Sequence, residues 1–321
     1  MNVHKRQTVT AILRLIEKET KIKNADNISR TNAYKAYYDR HPEIKWPLLA
    51  SFVSRNAGWS MTDLRGVLYQ EGLDSSQKNW FFLSYERANW LIFSDAYPQL
   101  LVYQWSKQIG EPLFRHLPHF RVSAFMQEEW FRFWRDGDTE RLMYALIINE
   151  QNTIQAPIIQ NPSFKKNVFG TIPFYLSDWF HFNTVIFPSF DDGHLYGISV
   201  KRFSKTEERI TLGKQLARLL FSPDLHASFY RFLDTVPHTG SRFDMEKMIG
   251  IKKRTSPMLR TTYPIVAHPL DGERADWFQK RLRKGAFLQE KMPKQLELTD
   301  WYFQKRRELH ALFAVKEWLK K

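Results

Sequence analysis

Two long segments of this chain are apolar on every side of a helix, and they constrain the fold more than any other feature. Residues 76–96 contain the runs Trp80–Leu83 and Trp90–Phe93, and residues 139–155 contain an unbroken apolar run, Leu142–Ile148. A helix that is apolar all round is stable only in the middle of a protein. The two segments therefore predict central helices that other helices surround.

Helix start signals recur along the rest of the chain. Ser60, Ser204 and Ser241 are each followed three residues later by Asp or Glu, which is the spacing of a capping box. The alternation that is typical of a strand hardly appears outside Leu195–Val200. We predict a mainly α fold, a large irregular helical bundle with little or no β-structure and at most a short hairpin near residues 185–203.

The predicted helices cover residues 8–22, 29–40, 46–57, 60–71, 76–96, 98–109, 123–136, 139–155, 205–221, 223–234, 241–249, 272–284 and 299–320. Lys and Arg outnumber Asp and Glu by 6 to 2 in residues 1–24, by 25 to 24 in residues 25–250 and by 17 to 8 in residues 251–321. We predict a basic N-terminal helix (1–24), a helical core domain (25–250) and a basic helical C-terminal segment (251–321) packed on the core.

Several classes of protein are excluded by what the sequence lacks. The chain has no cysteine, which removes disulfides, thiolate metal sites and cysteine nucleophiles. The motifs of phosphate loops, dinucleotide folds, zincins and hydrolase elbows are absent. Arg14 and Glu17 interrupt the first apolar stretch, so no signal-peptide core forms, and Asp178 interrupts the aromatic stretch 171–190. We predict a cytoplasmic protein with no membrane span, no cofactor and no metal.

Five stretches carry a resemblance to a known family. They are Arg30–Tyr34, His41–Ile44, Leu49–Trp59, Met61–Leu64 and Asn149–Gln155. In these stretches the chain resembles the YppC-like family of uncharacterised proteins from Bacillus-type bacteria. The resemblance implies a bacterial, cytoplasmic protein, but it implies no activity and transfers no functional residue.

Five polar residues are predicted to point into the apolar interior: Asn56, Glu86, Asn89, Glu150 and Gln151. Asn56 and Glu86 stand at helical spacing from apolar residues of their own segments. Asn149–Asn152 is polar around nearly the whole turn of a helix that is apolar before and after it. We therefore predict a buried polar cluster, with Glu86 and Glu150 within about 10 Å of each other because their helices are both central.

Two interpretations of this cluster stay open. A desolvated Glu86 would have a raised pKa and could serve as a general acid or base, which is the enzyme hypothesis. Alternatively, the residues form a satisfied hydrogen-bond network in a sealed core, with Glu86 paired to Arg55 or Arg87.

The net charge of +14 suggests a polyanionic partner. The candidate anion-binding residues, on two predicted C-terminal helices, are Lys280, Arg281, Arg283, Lys284, Lys305, Arg306 and Arg307. The leading hypothesis is a binding or scaffold protein that engages nucleic acid or an anionic membrane surface. The alternatives are the enzyme above, a purely solvated basic surface, and a peripheral membrane protein that uses the aromatic stretch 171–190.

Overall fold

The computed structural model of the chain describes residues 3–67, 73–171, 184–199, 203–269, 276–278, 282 and 285–319. Its α-helices are α1 (Val3–Lys23), α2 (Asn27–Arg40), α3 (Trp46–Asp63), α4 (Ser75–Ile109), α5 (Ala124–Asp136), α6 (Thr139–Thr153), α7 (Pro162–Phe164), α8 (Thr206–Leu220), α9 (His226–Thr235), α10 (Phe243–Glu246), α11 (Leu259–Thr262) and α12 (Thr299–Leu319). A 3₁₀ helix covers Phe114–Phe120, and two π-helical segments cover Gln155–Ile159 and Lys165–Phe169. The strands are β1 (Thr184–Pro188) and β2 (Leu195–Ser199).

The prediction of a mainly α fold with a short hairpin is confirmed. Strands β1 and β2 pair antiparallel, with Thr184 opposite Ser199 and Pro188 opposite Leu195. The hairpin is tied to α3 by Asn56, whose side chain donates to the carbonyl of Ile186 at 2.9 Å and accepts from its N–H at 2.9 Å. None of the described helices combines the length with the apolar composition that a membrane span requires.

The core is centred on α6. Every residue of Leu142–Ile148 is buried, and α6 packs against α3, α4, α5 and α8. The contact with α8 is so close that a methyl group on Gly213 would lie 2.7 Å from Ile147 Cγ2. An all-round apolar helix is therefore buried by neighbours on all sides, as its sequence requires.

Helix α4 is continuous where the sequence predicted two helices, at residues 76–96 and 98–109. Pro98 lies inside α4 and is buried together with Tyr97 and Leu100. A proline inside a helix removes one hydrogen bond and costs about 3 kcal/mol. Burial of the apolar side chains around Pro98 offsets this cost, so tertiary packing overrides the local preference.

All three predicted capping boxes are wrong. In the box predicted at Ser241, the Asp244 side chain accepts from the N–H of Thr239 instead, and Arg242, the N-cap of α10, makes no side-chain capping bond. Ser60 lies inside α3, which continues because Trp59 and Met61 on either side of it are fully buried. The N-cap of α8 is Lys205, which makes no side-chain capping bond. A complete capping box occurs instead at α4, where the Asp74 side chain and the Gln77 side chain each accept from the other's backbone N–H.

The C-terminal part of the chain lies against the earlier helices. The N–H of Leu298 donates to the carbonyl of Leu195 at 2.7 Å, and Tyr302 on α12 is buried. The predicted helix at 272–284 lies mostly outside the described residues. The division into parts 1–24, 25–250 and 251–321 stays a prediction.

Candidate functional site

Glu86 is a buried carboxylate that holds an ion pair between two helices. It lies on α4 with 4 % of its surface exposed, and its Oε2 accepts from Nη2 of Arg30 on α2 at 2.5 Å. Arg30 is 1 % exposed and also donates to the backbone and side-chain oxygens of Asn24. The predicted partners, Arg55 or Arg87, are therefore wrong. Arg55 instead donates to backbone carbonyls of Val236 and Pro237.

An open cavity of about 300 Å³ lies over Glu86. One wall comes from the start of α2 (Ala25, Asp26, Ser29), and another comes from Phe82, four residues before Glu86 on the same face of α4. The third wall is part of the segment 258–269, which we call the strap. We refer to this space as the Glu86 cavity. Glu86 is thus at the edge of a space that a small molecule could enter, rather than sealed in the core.

The strap is held down by contacts at several points along its length. Tyr263 stacks on Phe82 with ring centroids 3.8 Å apart, and its hydroxyl donates to the carbonyl of Met61 at 2.9 Å. Further along, His268 Nε2 lies 3.4 Å from Glu86 Oε1, and the His268 ring lies 5.1 Å from that of Trp90. The strap therefore completes the cavity and brings an imidazole to Glu86.

Asp26 places a second carboxylate at the cavity. Arg260 of the strap donates to both of its oxygens, at 2.7 and 3.1 Å, and the N–H of Ser29 donates to Oδ1 at 2.7 Å. Burial alone would raise the pKa of Asp26, but the hydrogen bonds from Arg260 and Ser29 lower it below its usual value. Asp26 is therefore ionised at neutral pH.

Glu150 belongs to a different polar group. Its carboxylate accepts from Trp46 Nε1 at 3.1 Å and from Gln151 Nε2 at 2.8 Å. Gln151 in turn accepts from Nε of the buried Arg209 at 2.8 Å. Burial raises the pKa of Glu150 to about 7, more than its hydrogen bonds and the charge of Arg209 lower it.

The five residues of the predicted cluster thus lie in different hydrogen-bond networks, except that Glu150 and Gln151 share one. The side chains of Glu150 and Gln151 are hydrogen-bonded to each other, whereas the side chain of Glu86 contacts Arg30 and His268. Asn56 holds the hairpin, and Asn89 donates to the carbonyl of Tyr85 one turn earlier in its own helix. Among the described residues, no hydrogen bond or ion pair joins Glu86 to Glu150. A functional role for any of the five stays a prediction.

Two of the three candidate anion-binding residues that the structure describes are paired with carboxylates. Arg306 is paired with the buried Glu246, and Lys305 donates to Glu308 at 2.7 Å. Arg307 is exposed. Lys280, Arg281, Arg283 and Lys284 lie outside the described residues. Of the aromatic stretch 171–190, the described strand β1 is mostly buried, which leaves it unavailable to a membrane surface.

Sequence reasoning missed most of the residues around Glu86. Arg30 carried a usable signal, because it stands four and seven residues before the buried Tyr34 and Tyr37 and so shares their helical face. Arg260 and His268 carried none, since the strap has almost no periodicity and is far away along the chain.

A family model described as "Protein of unknown function (DUF2515)" matches residues 22–303, and the chain belongs to this family. A protein of Bacillus subtilis (strain 168) with the printed name "Uncharacterized protein YppC" is 73% identical over 321 residues, which is 100% of each chain. The resemblance seen in the sequence is confirmed. No solved structure matches the chain.

Proposed function

We propose that this protein binds a small molecule in the Glu86 cavity. The observation that carries the proposal is a buried carboxylate at the edge of an open cavity of about 300 Å³. Ligand sites are concave, largely apolar and fitted with a few convergent polar groups, and their volumes begin near about 300 Å³. Glu86 and Asp26 supply the polar groups, and Phe82 and Tyr263 supply apolar surface.

The cost of burying Glu86 supports the same proposal. Removing an ion pair from water costs several kcal/mol, and a well-packed apolar pair is often as stable or more stable. A charged pair that adjoins a cavity therefore suggests a use beyond holding α2 to α4. The contact between Glu86 and His268 also supports the enzyme hypothesis, because Glu86 lines the cavity and His268, which does not, can exchange a proton with Glu86.

The test is a ligand-observed NMR screen of fragments against the full chain. Ala25→Phe places a large side chain in the cavity, and Ala36→Phe is the matched control, because Ala36 is exposed on α2 and does not line the cavity. We expect fragments that bind the native chain to bind the Ala36→Phe variant and to lose binding to the Ala25→Phe variant. Fragments that bind both variants equally, or no binding at all, would contradict the proposal.

A second candidate function is engagement of an anionic partner, nucleic acid or an anionic membrane surface, by the basic C-terminal segment. Residues 251–321 hold 17 basic residues against 8 acidic ones. Lys252, Lys253 and Arg254 are consecutive in this segment, and all three are exposed. A cytoplasmic location belongs to this proposal, and the lack of cysteine fits a reducing compartment.

Salt dependence tests the second candidate. If the segment binds a polyanion, the logarithm of the binding constant falls linearly with the logarithm of salt concentration. Replacing Lys252, Lys253 and Arg254 with Gln should reduce that slope by up to about 3 phosphate equivalents. Single- and double-stranded DNA, RNA and anionic vesicles are compared at low ionic strength. Failure of all of them to bind there would contradict the proposal.

A further inference from the structure

We infer that the Glu86 cavity takes a ligand whose buried end is a positively charged amine or amidine and whose remaining part is apolar. The inference rests on the proposed function, because it names the ligand class of that same cavity. It follows from the hydrogen-bond acceptors that line the cavity and from the apolar side chains that lie between them.

The charged groups that line the cavity are mainly acceptors. Glu86 Oε2 is occupied by Arg30. Within the part of the chain that the structure describes, Oε1 has one hydrogen bond, the 3.4 Å contact with His268, which is long for a hydrogen bond. Arg30 does not line the cavity, so its guanidinium offers no donor to a ligand. Arg260 does line it, but this guanidinium is already bound to both oxygens of Asp26. A ligand with N–H donors can therefore complete the hydrogen bonds of Glu86.

The two carboxylates also decide which sign of charge the cavity accepts. An ammonium or amidinium group makes charge-assisted hydrogen bonds to a carboxylate, and these are about twice as strong as neutral ones. A carboxylate or phosphate ligand would instead bring its lone pairs against those of Glu86 Oε1, and the two arginines that balance the carboxylates are already bound to them. Most of the available lone pairs would then face other lone pairs, so an anionic ligand is disfavoured.

The rest of the ligand must be apolar and small. The stacked Phe82 and Tyr263 line the space between the polar groups, and Leu259 and Val266 add aliphatic surface. Ile265 is 68% exposed and forms part of the outer rim. A volume of about 300 Å³ is suited to an aromatic or aliphatic amine rather than to a nucleotide or a peptide.

Three probes of similar shape test this inference: 2-phenylethylamine, 2-phenylethanol and 3-phenylpropanoate. NMR titration of the full chain at pH 7 measures the dissociation constant of each. We expect the amine to bind at least about tenfold more tightly than the alcohol, which corresponds to one charge-assisted hydrogen bond. Glu86→Gln should remove this preference, and Glu128→Gln, an exposed carboxylate on α5, should leave it unchanged.

The other outcomes distinguish an error in the ligand class from an error in the proposed ligand site. If the alcohol binds the Glu86→Gln variant, the cavity of that variant is intact. If the Glu86→Gln variant does not fold, Asp26→Asn gives a second test. Tightest binding of the propanoate, or equal binding of amine and alcohol, would overturn the inference while leaving a ligand site in place. If none of the three probes binds, the amine inference is wrong, and the fragment screen with Ala25→Phe decides the site by itself.

Discussion

Replacing Glu150 with Gln should change how the stability of the protein depends on pH. In the native protein this carboxylate accepts from Trp46 Nε1 and Gln151 Nε2, and burial raises its pKa from 4.5 to about 7. The side-chain oxygen of a glutamine can still accept from Trp46, but the side chain cannot ionise. The substitution therefore removes the titration while keeping a partner for the indole.

The sign of the effect follows from proton binding. Between about pH 4.5 and 7 the folded state keeps a proton on Glu150 that the unfolded state has lost, so the free energy of unfolding falls as the pH rises. A shift from 4.5 to about 7 corresponds to about 3 kcal/mol, and the partial exposure of the side chain reduces this to about 2 kcal/mol. Below pH 4.5 the carboxylate is protonated in both states and contributes no slope.

Urea unfolding at several pH values from 4.5 to 8 measures the effect. The stability of the Glu150→Gln variant relative to the native protein should rise by about 2 kcal/mol over this range. Glu128→Gln, at an exposed carboxylate, is the control and should give a flat difference. A flat difference for Glu150→Gln as well, within about 0.5 kcal/mol, would refute the raised pKa of the Glu150 carboxyl.

Three further substitutions test contacts elsewhere by chemical unfolding. Arg306→Gln leaves the buried Glu246 without its ion-pair partner and should lower the free energy of unfolding by about 3 to 5 kcal/mol. A decrease below about 1 kcal/mol would show that Arg306 is free to bind anions. Gly213→Ala improves helix propensity by about 1 kcal/mol, but the added methyl group would lie 2.7 Å from Ile147. We therefore expect the free energy of unfolding to fall by about 1 kcal/mol in total. A rise in that free energy would mean that α6 and α8 separate easily. Asp74→Ala removes the capping box of α4 and should cost about 1 kcal/mol, whereas an unchanged stability would show that the first turn does not depend on it.

Several features of the fold could be predicted because they depend on the spacing of residues within one helix. The unbroken apolar run Leu142–Ile148 requires burial on all sides, and α6 is surrounded by other helices. Glu86 was predicted to face inward because it follows Phe82 by one helical turn, and both line the same cavity. Helical periodicity is a property of the backbone itself, so the face of each residue can be deduced without knowing the fold.

Local rules failed where distant parts of the chain outweighed them. The predicted break between helices 76–96 and 98–109 is wrong, because α4 passes through Pro98, whose surrounding side chains are buried. The helix start predicted at Ser60 is wrong, because α3 continues past this residue for the same reason. In both cases the free energy of burial exceeds the local preference of one residue.

The sequence by itself determined the helical class, the position of the hairpin and the inward direction of Glu86. Only the tertiary structure decided that Arg30, rather than Arg55 or Arg87, is the partner of Glu86. It also decided that the strap walls the cavity with Arg260 and brings His268 to Glu86. The physical reason is that a helix face follows from spacing of about 3.6 residues along the chain. The partner of that face is chosen by long-range packing, which brings together residues such as Glu86 and His268 that no local spacing relates.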